Sequence, residues 1–184
     1  TGEMPSGMTK DRYMATKLEE AVVETDYFDL VVMGQPEGQG CYCAANTLLS
    51  DFLQKLTRNY ASIVMDNEAG MEHISRLTTS NVDELLVVSD PSRRGLQAAG
   101  RIKDLAHNLN IGVGSVYLVL NNVREEPSER MQAIIADMGL ELLGTVREDE
   151  TLQEYDLEGR PSFELPEDNP AVQDAFALFQ RLIG

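Results

Sequence analysis

The sequence is poor in basic residues, in cysteine and in long apolar runs. Its 184 residues include 15 Lys and Arg against 31 Asp and Glu, which gives a formal net charge of −16. A surface this acidic repels phosphate backbones and anionic lipid, so neither nucleic-acid binding nor membrane-surface binding is expected as the main function. Two cysteines are too few for a disulfide scaffold, and the apolar runs are too short to cross a membrane. A reducing cytoplasm is the expected compartment.

Five short apolar runs predict strands, and they lie at 28–34, 61–66, 84–90, 115–121 and 141–146. Each run is continuous instead of alternating polar with apolar residues. Continuous apolar runs are typical of strands that are covered on both faces, as in a parallel sheet.

Helical patterns lie between and around these runs. They are predicted before the first strand, over 44–58 and 93–110, after Ser128 as the cap with Gly139 as the stop, and from Asn169-Pro170 onwards. The polar, acidic stretch 152–169 is expected to form a surface loop. The alternation predicts an α/β fold, with a mostly parallel, doubly wound sheet flanked by helices in a single domain over 1–184.

Ligands of such sheets bind beyond the carboxyl ends of the strands, where this sequence places several polar residues. Asp66 ends an apolar run at the position where a P-loop nucleotidase holds its magnesium-water ligand, and Gly70 could let the backbone approach a terminal phosphate. The alternative is that Asp66 caps the next turn. Asn121 can both donate and accept, which suits an adenine edge, but it could equally serve a turn. Asp149 has the same two interpretations.

Cys41 and Cys43 are separated by one tyrosine. Two thiolates cannot complete a tetrahedral metal site, but a two-fold axis through the pair would supply four. The alternative is a pair of small buried thiols. His73 follows Asp66 by seven positions and could belong to a metal relay or a switch segment, although a lone histidine is more often structural.

Three segments carry a family resemblance: VVMGQPEGQGCYCAAN at 31–46, ASIVMDNEAGMEHISR at 61–76 and LLVVSDPSRRGLQAAGRI at 85–102. Together they resemble the nickel-insertion accessory ATPases of carbon monoxide dehydrogenase and acetyl-CoA synthase maturation. That family belongs to the MinD/ParA class of P-loop ATPases, which also includes the nitrogenase iron protein. The resemblance extends over nearly the whole chain.

The resemblance implies a homodimer that uses ATP and Mg²⁺ and supports nickel delivery to the active-site cluster of carbon monoxide dehydrogenase, or to acetyl-CoA synthase. It implies that Cys41 and Cys43 bind Ni²⁺ or Zn²⁺ at the dimer interface. No nucleic-acid or membrane partner is expected.

The resemblance also assigns nucleotide contacts. It implies that Asp66 binds magnesium through water, that Gly70 lies in the switch that senses the γ-phosphate, and that Asn121 contacts adenine. The loop beside the base comprises Arg147, Glu148 and Asp149. Within it, Asp149 is the expected side-chain contact.

One departure from the family concerns the Walker A loop with its signature lysines, because no G-x-x-x-x-G-K-[ST] pattern occurs here. The chain is therefore expected to be roughly the last two-thirds of a nucleotide-binding domain, and to bind ATP poorly and hydrolyse it negligibly by itself. Two other functions stay open: a non-enzymatic metal-binding chaperone, and an iron–sulfur electron carrier with four thiolates across a dimer.

Overall fold

The computed structural model describes residues 7–32, 59–67, 82–108 and 112–183. The chain divides into two compact units, one formed by 1–67 with 76–79 and the other by 68–75 with 80–184. The single domain expected from the sequence stays a prediction.

The described part of the first unit contains a helix and a small hairpin. Helix α1 spans Lys10–Glu20, as the pattern before the first strand predicts, and strands β1 (Val22–Glu24) and β2 (Asp29–Val31) pair antiparallel. The turn between the strands is closed by Thr25, whose hydroxyl oxygen accepts from the N–H of Phe28 at 3.1 Å.

The prediction of a strand at 61–66 is wrong. Residues 61–67 form no strand in the described part of the chain. The side chain of Val64 is 77% exposed, so this run is not covered on both faces there. An apolar run specifies a strand only where neighbouring backbone and covering side chains are supplied, and both come from elsewhere in the fold.

The described part of the second unit is a three-stranded parallel sheet in the order β3-β4-β5. Its elements, in chain order, are β3 (Val82–Ser89), α2 (Arg93–Asn108), β4 (Val113–Val123), α3 (Glu129–Asp137), β5 (Glu141–Arg147), α4 (Glu150–Glu158), a 3₁₀ turn (Ser162–Glu164) and α5 (Pro170–Ile183). Helices between parallel strands confirm the α/β fold class.

Both faces of this sheet are covered by helices. On one face Leu118 and Leu120 of β4 pack with Leu96 of α2 and Ile135 of α3. On the other face the core is made by Val119, Leu143 and Leu178. Apolar side chains are therefore needed on both sides of the strands, which explains why these runs are continuous.

The surface loop expected over 152–169 is wrong, because helix α4 occupies Glu150–Glu158 and a 3₁₀ turn follows. Asp149 caps the start of α4, and Gly159 ends it in the left-handed region with a φ of 66°. None of the residues within α4 is buried, so the helix lacks the apolar stripe by which helices are recognised in a sequence.

The expected caps of α3 are confirmed. The Ser128 hydroxyl oxygen accepts from the N–H of Met131 at 3.3 Å, and Gly139 has a φ of 63° just after the helix. The predicted start of the last helix at Asn169-Pro170 is confirmed as well.

Candidate functional site

The carboxyl ends of the three parallel strands lie at one edge of the sheet, called here the carboxyl edge. The register pairs Ser89 with Leu120 and Val123 with Arg147, so 90–92, 121–122 and 147–149 are neighbours along this edge. In open α/β sheets this is where ligands bind. The structure thus brings together four of the residues singled out in the sequence, namely Asn121, Arg147, Glu148 and Asp149.

Asn121 lies in an irregular part of β4. The pairing with β5 shifts between Leu120 and Val123, and Asn122 has a φ of 57°, a left-handed conformation that asparagine tolerates. Such bulges redirect side chains near binding sites. Asn121 is half-buried, and its amide forms no hydrogen bond with the described residues. Its donor and acceptor groups are both available to a ligand.

Arg147 is bound to helix α5. Its guanidinium donates to both carboxylate oxygens of Asp174, with Nε–Oδ2 at 2.7 Å and Nη2–Oδ1 at 2.8 Å, and its backbone N–H donates to Oδ2 at 3.1 Å. These bonds from Arg147 lower the pKa of Asp174. The positive charge of Arg147 is therefore paired with the carboxylate of Asp174.

Glu148 is also paired within the protein. Its carboxylate accepts from the Arg124 guanidinium, with Nη2–Oε1 at 3.2 Å, and from Gln153 Nε2 at 3.1 Å. The bonds from Arg124 and Gln153 lower the pKa of Glu148. Arg147 and Glu148 hold the loop through these bonds. The position of the loop beside the base, which the resemblance implies, stays a prediction.

Asp149 is the remaining carboxylate of the loop. Its Oδ1 accepts from the N–H of Leu152 at 2.8 Å, which caps α4, and from Asn169 Nδ2 at 2.9 Å. The Asn169 bond first, and then the Leu152 N–H, lower the pKa of Asp149. Both bonds end on Oδ1, and Oδ2 accepts from no side chain in the described ranges. Asp149 therefore caps the start of α4, as the turn interpretation expects, and its contact with a base stays a prediction.

The structure does not bring the other predicted site residues together with these four within the residues that it describes. Asp66 is exposed at the end of the first unit's described segment 59–67. Cys41, Cys43, Gly70 and His73 lie outside the described residues. In the described ranges no group of three or more His, Cys, Asp or Glu could hold a metal ion. Magnesium in nucleotide sites needs only one or two carboxylates beside the substrate phosphates, so Asp66 alone fits that ion.

Sequence reasoning missed Asn169 and Asp174 as partners of the loop. Asn169 was recognised only as a helix start. Its contact with Asp149 joins residues 20 positions apart, and the Arg147–Asp174 contact joins residues 27 apart. The sequence shows only that an acid and an amide lie near the start of the last helix. It does not show which residues they bind.

Comparison with known proteins decides the class. No family model matches the chain. An uncharacterised ATP-binding protein of Methanocaldococcus jannaschii is 42% identical over 182 residues, which is 99% of this chain and 72% of that protein. The carbon monoxide dehydrogenase accessory protein CooC of Rhodospirillum rubrum is 31% identical over 169 residues, or 90% of this chain and 62% of that protein. The chain belongs to the same family as this ATP-binding protein of Methanocaldococcus jannaschii.

Solved structures of the MinD/ParA class show the same fold. MinD of Aquifex aeolicus superposes with a TM-score of 0.69 at 21% identity, covering 91% of this chain and 70% of that one. A ParA family ATPase from Chlorobium tepidum gives 0.68 at 19% identity, with 91% and 69% covered. Within the described ranges no helix has both the length and the apolarity to cross a membrane.

Proposed function

We propose that this MinD/ParA-class chain belongs to an ATP-dependent maturation factor that inserts nickel into carbon monoxide dehydrogenase, with acetyl-CoA synthase as the alternative client. The observation that carries the proposal is the 31% identity to the carbon monoxide dehydrogenase accessory protein over 90% of the chain. The Cys41-Tyr42-Cys43 segment supports it, because thiolates are ligands that soft metal ions prefer. A reducing cytoplasm, which keeps both cysteines reduced and able to bind metal, is part of the proposal.

In this proposal the substrate ATP places its base at the carboxyl edge, against Asn121 and Asp149. The amide of Asn121 can donate and accept, while the Asp149 carboxylate accepts only. Arg147 and Glu148 hold the loop through their ion pairs. Asp66 binds Mg²⁺ through water, which neutralises phosphate charge, and the backbone at Gly70 responds to the terminal phosphate.

The cargo metal is held between two copies of the chain. Cys41 and Cys43 from each protomer of a homodimer supply four thiolates, a set that suits either nickel or zinc. ATP binding favours the closed dimer, and hydrolysis favours opening. Binding of the metal and binding of ATP are then linked, so each ligand changes the affinity for the other by the same factor.

The proposal is tested by replacing both thiols in the full-length gene product. Cys41→Ser combined with Cys43→Ser should abolish nickel- or zinc-promoted dimerisation, measured by light scattering together with metal analysis. Tyr42→Phe is the matched control, because it changes the same segment and keeps both thiolates. Unchanged metal stoichiometry in the double variant would contradict the proposed site.

ATP affinity measured in the same samples separates the two halves of the proposal. The double variant should still bind ATP, since neither cysteine is assigned to the nucleotide. A protein that binds metal through the cysteines and shows no ATP binding would instead be the ATP-free chaperone.

A further inference from the structure

Helix α4 and the 3₁₀ turn after it form a strongly negative surface on the second unit. It consists of the exposed residues of 150–168 and is called here the acidic surface. No residue within α4 or within the 3₁₀ turn is buried. The segment has a single basic residue, Arg160, against seven acids, all of them exposed: Glu150, Glu154, Asp156, Glu158, Glu164, Glu167 and Asp168. For its length it is therefore far more negative than the chain as a whole.

Two large apolar side chains lie within the acidic surface. Leu157 is 87% exposed and Phe163 is 86% exposed, the highest values for large apolar residues in the described part of the second unit. Neither belongs to the two apolar cores of this unit. Single exposed apolar residues are common on protein surfaces, but these two are flanked by acids. Apolar anchors inside a polar rim are typical of protein interfaces.

Arg160 joins the end of α4 to the 3₁₀ turn. Its guanidinium lies over the ring of Tyr155, 3.7 Å from the ring centroid, and its Nη2 lies 3.5 Å from Glu164 Oε2. Its backbone N–H donates to the carbonyl oxygen of Tyr155 at 2.8 Å. The two elements that carry Leu157 and Phe163 are therefore held together by one residue.

The start of α4 is fixed to the rest of the second unit. Asp149 Oδ1 accepts from the N–H of Leu152 at 2.8 Å and from Asn169 Nδ2 at 2.9 Å, and Asn169 is only 6% exposed. A helix of nine residues that buries none of them is marginal by itself in water. The caps thus hold α4 in a fixed arrangement, and such preorganisation lowers the entropic cost of binding a partner.

We propose that the acidic surface is a docking site for a partner protein that presents lysine and arginine side chains around an apolar groove. Leu157 and Phe163 enter the groove, and the acids face the basic side chains. Apolar anchors supply most of the affinity in such interfaces, whereas the charged rim sets the association rate and the specificity.

Charge decides the class of the occupant. A second copy of this chain carries the same net charge of −16, and nucleic acids and anionic lipids are negative as well, so all three are repelled by this surface. A basic protein is attracted to it. The inference goes beyond the proposed function and depends on neither nickel nor ATP.

A fluorescent synthetic peptide, an amphipathic helix of leucine and lysine, is the probe for this surface. Fluorescence anisotropy with the full-length gene product should show binding, and a leucine–glutamate helix should not bind. Leu157→Gln combined with Phe163→Gln should weaken binding about tenfold or more, because both anchors are lost. Glutamine keeps a helix propensity close to that of leucine, and an unchanged urea midpoint verifies the fold. Ile183→Gln, at an apolar residue that is 65% exposed on α5, is the control and should bind like the wild type.

A pair of charge variants separates this surface from the net charge of the chain. Glu154→Gln combined with Glu167→Gln should weaken binding about threefold at low salt and reduce its salt dependence. Glu19→Gln combined with Glu20→Gln removes the same charge from α1 and should have little effect.

Three results would overturn the inference. The first is a wild type that does not bind the leucine–lysine helix. The second is a variant at positions 157 and 163 that binds like the wild type. The third is an equal loss in both charge variants, because the peptide would then respond to net charge alone. All three leave the proposed function standing, since that is tested at the cysteines.

Discussion

Asn121 and Asp149 differ in what holds their side chains. The amide of Asn121 has no hydrogen-bond partner among the described residues, whereas the Asp149 carboxylate is held by Leu152 and Asn169. An open amide beside a fixed carboxylate gives a ligand one adaptable and one rigid contact. That combination suits a flat heteroaromatic base, which presents donors and acceptors on one edge.

Removal of the Asn121 amide should weaken nucleotide binding. We expect Asn121→Ala to bind ATP about tenfold more weakly in the full-length gene product, because about one net hydrogen bond is lost. Asn122→Gly is the matched control, since glycine accepts the φ of 57° and the neighbouring amide is kept. Titration calorimetry would contradict this assignment if both variants bound ATP like the wild type.

The local patterns and the long-range contacts differ in how far the sequence predicts them. The Ser128 cap is readable, because donor and acceptor are three residues apart on one helix. Strand-end positions such as Asn121 and Asp149 are readable too, because continuous apolar runs end there. The Asn169–Asp149 bond is not, because only the packing of α5 beside β5 brings those residues together.

At the scale of elements, helix α4 shows why polarity alone misleads. No residue within α4 is buried, so its sequence has the composition of a loop. Its formation depends on the ends: Asp149 caps the start, and Gly159 ends it. Strand β4 is the opposite case. Its residues are buried on both faces, so a continuous apolar run predicts the strand.

Close packing between β3 and β4 should make any side chain at position 114 lower the stability of the fold. A Cβ at this position would lie 2.6 Å from the backbone carbonyl oxygen of Asp83, so the strands would have to move apart. We expect Gly114→Ala to lower the free energy of unfolding by about 1–3 kcal/mol in urea titrations. Gly100→Ala in α2 is the control.

At Gly100 the nearest atom to an added Cβ is the Met138 sulfur at 3.9 Å. Alanine also has the higher helix propensity, so Gly100→Ala should be neutral or stabilise by up to about 1 kcal/mol. Equal loss of stability in both variants would show that the contact between the strands is not the cause.

The ion pair between β5 and α5 should make stability depend on pH. Arg147 lowers the pKa of Asp174 below its unfolded value of about 3.9. This contribution is therefore present above that unfolded value and is lost as the pH falls through the lower folded value. We expect the wild type to be more stable than Asp174→Asn at pH 7, and the difference to narrow below about pH 4. A pH-independent difference in urea midpoints would contradict this reading.

At the scale of the whole molecule, charge and fold limit the partners. A MinD/ParA-class fold with a net charge of −16 is a poor match for DNA, even though members of the class differ widely in function. The fold class could be predicted from alternating strands and helices. The proposed metal, client enzyme and dimer cannot be predicted from that alternation, because they would depend on a few side chains and on a second chain.

The most direct test of nickel delivery driven by ATP is single-turnover transfer. The full-length gene product is loaded with nickel and mixed with nickel-free carbon monoxide dehydrogenase, with and without ATP and magnesium, and the dehydrogenase activity that appears is followed in time. We predict that ATP accelerates activation by roughly tenfold or more, as expected for coupled metal and nucleotide sites. Equal activation without ATP would contradict the account and identify an ATP-free metallochaperone.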